Sequence, residues 1–142
     1  MSTLAELYQS VIVEHDRSPR NYRALAAPSH HAEGRNPLCG DEVSVELRVG
    51  AGGMIEEIAF QGHGCAISRA SASMMTAALQ GKSVGEAREL FDRFHALVTG
   101  TAAEGDIGKL AVFRGVAEYP MRVKCATLAW HAMKTALDPG AQ

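Results

Sequence analysis

The chain has only three cysteines among its 142 residues, and no C-x-x-C pair. The paired-cysteine knuckle of many zinc sites and the dithiol motif of redox proteins are both absent. Three cysteines cannot all pair within one chain, which argues against a disulfide framework. No run of about 18 apolar residues occurs, so nothing reads as a membrane span. There is no excess of positive charge: the net charge is −2 and the pI near 6.3, without the basic footprint of a nucleic-acid binder. The first residues lack a basic stretch followed by an apolar one, so they do not read as a secretory signal. A cytoplasmic protein is the expectation. Internal repeats, low-complexity tracts, a phosphate-binding glycine loop, a Ser/His/Asp arrangement and a paired-carboxylate site are also missing.

What is present is an ordinary globular composition, 46% apolar and 21% charged. The length suits one domain, residues 1–142, with a usable core.

Thr3 to Glu6 has the form of a capping box. Leu4, Leu7, Tyr8, Val11, Ile12 and His15 then fall on one helical face, and Pro19 should stop that helix. Residues 21–38 contain Pro28, Gly34 and Pro37 and read as loop or short extended structure. Val43, Val45, Leu47 and Val49 alternate with Glu42, Ser44, Glu46 and Arg48, as in a half-buried strand. Gly50 to Gly53 supplies a turn. Ile58 and Phe60 alternate with polar or small neighbours, which predicts an antiparallel hairpin.

From Cys65 the pattern is helical. Ile67, Ala70, Ser71, Met74 and Ala78 share a face, and Gly81 can end the helix. Ser83 to Glu86 is a second capping box, leading a stripe of Ala87, Leu90, Phe91, Phe94, Leu97 and Val98. Thr101 to Gly105 reads as a small polar linker. Asp106 should cap a short helix carrying Ile107, Leu110 and Phe113. Pro120 suits the first turn of a final helix, with Met121, Cys125, Leu128, Ala132 and Ala136 on one face. Residues 138–142 read as a frayed end. The predicted class is α+β: a small antiparallel sheet packed against a helical layer.

Three thiolates and one carboxylate, Cys39, Cys65, Cys125 and Asp41, are a tetrahedral set of the kind zinc prefers. The separations of 26 and 60 residues between successive cysteines are by themselves a weak metal signal. Taken alone, Cys125 on an apolar stripe reads as a small buried hydrophobe. Cys65 leads a helix, where unpaired N–H groups and the helix dipole favour a thiolate. Cys39 sits between Pro37 and Gly40, in a loop that another protein can approach. Asp41 alone would be a turn residue or strand-entry cap. Among the histidines, His15 reads as packed and hydrogen-bonded, His30 and His31 as solvated in a loop, and His95 and His131 as surface positions. His63 is the one held as a possible alternative ligand. Glu56 and Glu57 read as a strand-edge charge pair, and Met74 and Met75 as core.

Val11 to Asn21 resembles the opening motif of the SufU/IscU-type proteins of iron–sulfur cluster biogenesis. Asn36 to Asp41 resembles their N-P-x-C-G-D motif, Gly62 to Thr76 their second motif, and Lys124 to Trp130 their third. The resemblance runs in order over nearly the whole chain. Within the family the chain looks like the SufU branch. Lys124 stands where the IscU branch has histidine, residues 83–116 resemble the longer SufU helical insertion, and Tyr119 to Arg122 resembles the run leading into the third motif. His63 departs from the acidic or neutral residue of the family pattern.

The resemblance implies the SufU/IscU-like fold and specific roles. Cys39, Asp41, Cys65 and Cys125 would bind one zinc ion. Cys39 would accept the outer sulfur of a persulfide formed by a SufS-type, pyridoxal-phosphate-dependent cysteine desulfurase, with Arg122 helping to stabilise the exchanging thiolates. Downstream SUF cluster-assembly machinery would be the further partner. The chain would then act as a zinc-dependent sulfurtransferase or persulfide acceptor. The alternatives are a scaffold holding a [2Fe–2S] cluster on the same residues and a structural zinc-binding interaction domain.

Overall fold

The computed structural model describes residues 4–38, 40–101 and 107–138. Thr3, Cys39, the Asp106 cap, most of the 101–105 linker and the end from 139 lie outside the described residues. The order of elements is α1 (Leu4–Arg17), β1 (His30–Asn36), β2 (Asp41–Val49), β3 (Ile55–His63), α2 (Ala66–Leu79), α3 (Val84–Thr99) and α4 (Pro120–Leu137), with a 3-10 segment, Gly108–Glu118, before α4. The sheet order is β1-β2-β3, antiparallel throughout. The architecture is α+β, as the residue patterns predict.

The hairpin turn follows from glycine. Gly52 and Gly53 have φ of 79° and 76°, left-handed values that a side chain would disfavour. Val43, Val45 and Leu47 of β2 point into the core, while Glu42, Ser44, Glu46 and Arg48 are half-exposed on the other face. Arg48 bridges the Glu56 and Glu57 carboxylates at 3.3 and 3.2 Å.

β1 occupies a stretch where only loop or short extended structure was expected. Its residues, HHAEGRN, include no β-branched residue and no Phe, Tyr or Trp. The backbone pairing with β2 and the helix packed on it make it a strand. A Cβ on Gly34 would stand 3.1 Å from Leu128 Cδ1, so α4 packs directly over the strand there. His30 and His31 therefore lie on β1 and not in a loop; His31 is exposed and His30 half-buried.

α2 is the central helix, with Ala70 to Thr76 all buried, Met74 and Met75 among them. α4 packs beside it. Trp130 is fully buried, stacked on Phe94 at 4.6 Å, and its Nε1 donates to Ser71 Oγ at 3.1 Å. Ser71 in turn donates to the Ala126 carbonyl at 2.5 Å, which ties the two helices together one residue after Cys125. The capping box at Ser83 is formed, and Gly100 ends α3 in a left-handed conformation. The short helix expected after residue 106 is an 11-residue 3-10 segment that buries Leu110, Val112, Phe113 and Val116. Two expected core residues face outward: Leu7 is 54% exposed and Met121 44%.

His15 is buried, as expected, with Nδ1 2.7 Å from Ser73 Oγ. Ser73 Oγ also accepts the Arg20 backbone N–H at 2.8 Å, which leaves its proton to give to a neutral Nδ1. Burial, and secondarily the Arg20 charge, push the His15 pKa below the ordinary imidazole value. The unfolded chain then binds a proton that the folded chain resists. His15 therefore favours folding in full above about pH 6.5, and that contribution is lost as pH falls towards the lowered native value. His131 is shifted the same way by burial and by its His95 and Lys134 neighbours, so wild-type slopes alone do not isolate His15. The expected result is a shallower loss of denaturant midpoint between pH 7.5 and 5.5 for His15→Gln than for wild type. Parallel pH profiles would exclude His15 as a source of acid sensitivity.

Candidate metal and thiol site

Three elements converge at one end of the sheet. Asp41 is the first residue of β2, Cys65 the N-cap of α2, and Cys125 lies in the second turn of α4. One carboxylate oxygen and the two Sγ atoms all lie within 4.8 Å of one another. Asp41 is 1% exposed and Cys125 4%, whereas Cys65 is exposed. A buried carboxylate beside two thiols is costly unless something compensates it.

Part of that compensation is visible. The Cys65 backbone N–H donates to Asp41 Oδ1 at 3.0 Å, and Cys65 Sγ lies 3.8 Å from Oδ2. Cys65 Sγ accepts the Ser68 N–H at 3.4 Å, so sulfur takes the place of the oxygen that usually caps a helix. The helix N-terminus favours negative charge on that sulfur.

The close approach of Asp41 depends on a glycine whose role the motif alone did not reveal. A Cβ on Gly64 would stand 2.7 Å from Asp41 Oδ1 and 2.9 Å from its Cγ. The spacing G-x-G-C could have signalled this, because glycine is used where a polar group must lie against backbone. Gly64→Ala is expected to push the Asp41 carboxylate off the Cys65 amide and to weaken zinc binding by about tenfold. Competition for zinc with a chromogenic chelator measures this, and unaltered affinity would show that Asp41 does not depend on that contact.

The donor set fits zinc. Thiolate and carboxylate ligands at about 2.3 and 2.1 Å from a common ion lie less than about 4 Å apart. The observed separations, at most 4.8 Å, need only small side-chain adjustments to reach that. Cys39, the fourth residue of the expected set, lies outside the described residues. On either side of it, Asn36 accepts Gly40 N–H on its carbonyl at 2.8 Å and Leu38 N–H on Oδ1 at 3.2 Å.

His63 does not join the group found among the described residues. It ends β3, is largely exposed, and its Nε2 lies 3.3 Å from Glu42 Oε2. The reason is strand alternation: Glu42 and His63 are register partners, one residue out of phase with Asp41. Arg122 lies in the first turn of α4, with its guanidinium 4.5 Å from the centre of the Tyr119 ring.

No helix among the described residues is long and apolar enough to cross a membrane. Comparison with known proteins agrees with the geometry. The iron–sulfur cluster assembly scaffold protein IscU of Streptococcus pyogenes is 41% identical over 99% of this chain and 89% of that protein. The zinc-dependent sulfurtransferase SufU of Bacillus subtilis is 36% identical over 94% and 90%. A crystal structure from Fervidobacterium islandicum AW-1 has a TM-score of 0.87 at 32% identity, covering 95% of this chain and 99% of that one. It is described as a candidate iron–sulfur cluster assembly scaffold protein for the SUF system. The family profile of the NifU-like N terminal domain matches residues 7–137, and to that family, with its IscU and SufU relatives, this chain belongs.

Proposed function

We propose that the protein carries persulfide sulfur for iron–sulfur cluster assembly, with Cys39 both the acceptor thiol and one of four ligands of a zinc site completed by Asp41, Cys65 and Cys125. The observation that carries this reading is the convergence of the Asp41, Cys65 and Cys125 ligand atoms from three separate elements. The SufU relative, a zinc-dependent sulfurtransferase, supports it. Zinc bound there would keep its thiol ligands deprotonated at neutral pH and, having no redox chemistry, would leave sulfane sulfur intact.

The transfer is a thiol–persulfide exchange. The Cys39 thiolate attacks the outer sulfur of a cysteine persulfide on the donor. The donor S–S bond breaks, its cysteine leaves as a thiolate, and a new S–S bond forms on Cys39. No net oxidation or reduction occurs. The donor of this chemistry is a pyridoxal-phosphate cysteine desulfurase of the SufS type, and the sulfur passes on to SUF cluster assembly in the cytoplasm. Arg122, one turn before Cys125 in α4, would offset the negative charge of the two exchanging sulfurs.

The second reading is a scaffold that holds a [2Fe–2S] cluster on the same residues; the 41% identical relative carries a scaffold name. Metal and acid-labile sulfide content of anaerobically purified protein separates the two. About one zinc per chain without iron supports sulfur transfer. Stoichiometric iron and sulfide with a visible chromophore would replace it with the scaffold.

A further inference from the structure

The residue just after the opening motif makes a contact with the end of β3 beside the site. Tyr22 follows α1 and the Pro19 turn, and its backbone neighbours are pinned to β3. Phe60 N–H donates to the Asn21 carbonyl at 3.1 Å, and Arg23 N–H donates to the Phe60 carbonyl at 3.1 Å. The Tyr22 ring meets Phe60 edge-on at 5.1 Å, and the Arg69 guanidinium lies 5.6 Å from the ring centre. Arg69 is in turn held by Asp16, through Nε to Oδ1 at 3.1 Å and Nη2 to the backbone carbonyl at 3.4 Å.

The phenol that this frame positions makes two bonds to one residue. Tyr22 Oη donates to the Gly62 carbonyl at 2.8 Å and accepts the Gly62 N–H at 3.2 Å. Gly62 is the penultimate residue of β3, three residues before Cys65. Its φ is 139°, and a Cβ there would stand 2.2 Å from the Glu42 carbonyl oxygen, so the peptide runs tightly against β2 in a conformation few residues adopt. The two peptide planes that one hydroxyl ties down set the direction in which the chain continues through His63 and Gly64 to the Cys65 amide on Asp41.

We infer that Tyr22 is a positioning residue for the thiol site: its hydroxyl holds the Gly62 peptides and thereby fixes Cys65 against Asp41. This rests on the metal-site reading above only for its effect on zinc, since the bonds from Tyr22 to Gly62 are made by protein groups. It also gives the Asp16–Arg69 pair of the first motif and α2 a task, which is to hold the ring that carries the hydroxyl.

Tyr22→Phe tests it, because phenylalanine keeps the ring contacts and removes only the two bonds. In the metal-free protein, amide hydrogen exchange at Cys65, three residues beyond the substituted contact, is expected to quicken about fivefold, the factor for one ordinary hydrogen bond. In zinc competition with a chromogenic chelator the variant should bind about tenfold more weakly, with the melting temperature of the metal-free protein nearly unchanged. A purely structural tyrosine would instead lower the melting temperature and leave both other quantities alone. Faster exchange confined to the Gly62 amide, with Cys65 protection and zinc affinity unchanged, would overturn the proposal. A wild-type protein that takes up no zinc would refute the metal site and not Tyr22, whose role the Cys65 exchange rate then decides.

Discussion

Replacing Cys39 with serine is expected to leave the protein folded and to abolish its stimulation of a pyridoxal-phosphate cysteine desulfurase. The fold should survive because the residues on either side are anchored by hydrogen bonds of their own. Asn36 accepts the N–H groups of Leu38 and Gly40, and the β1–β2 ladder closes at Asn36 and Asp41. Activity should not survive, because a serine hydroxyl is not ionised at neutral pH and cannot attack a persulfide sulfur as a thiolate does. The measurement is alanine and sulfide release from cysteine by the desulfurase, with wild type, Cys39→Ser and no added protein. Activity near the no-addition level, with an unaltered circular dichroism spectrum, is the expected outcome. Full stimulation by the variant would end the acceptor role of Cys39.

Removal of the metal should cost the protein much of its thermal stability. Asp41 and Cys125 are buried, and Cys65 caps the most buried helix of the fold, so an ion on these groups links β2, α2 and α4. An ion present at 100 times its dissociation constant adds about 2.7 kcal/mol to folding. For a chain of this length that corresponds to a melting temperature on the order of 10 °C higher. Chelation should produce a fall of this size, and re-added zinc should reverse it. Cys125→Ala should start from the low value and ignore the chelator, because a buried ligand has been removed outright. The same melting temperature and zinc content in wild type, chelated protein and variant would count against Cys125 as a ligand.

The parts of the molecule that could be read from residue order are those whose signals are local. The hairpin is one: alternating valines and leucine in β2, then a glycine turn with two left-handed residues. The Ser83 capping box and the Gly100 terminator of α3 are another. The burial of His15 followed from its place on the stripe of α1. For β1 the residues leave loop and short extended structure both open, because its side chains carry little strand preference; pairing with β2 and cover from α4 make it a strand. The outward turn of Leu7 and Met121 was hidden for a related reason. Helical periodicity identifies a face but not how much of it the neighbouring elements reach, and both residues lie near an end of their helix.

The site divides along the same line. Residue order alone determined which groups are chemically capable: three cysteines, an aspartate two residues from one of them, and glycines around two, in the order of a known family. Thiol chemistry belongs to the side chain, so it is legible wherever the side chain stands. The tertiary structure decided that Asp41, Cys65 and Cys125 meet, that His63 turns to Glu42 instead, and that Gly64 and Tyr22 shape the loop between them. Distances between residues 24 and 60 apart in the chain depend on how strands and helices stack, and packing across a core is a property of all of them at once.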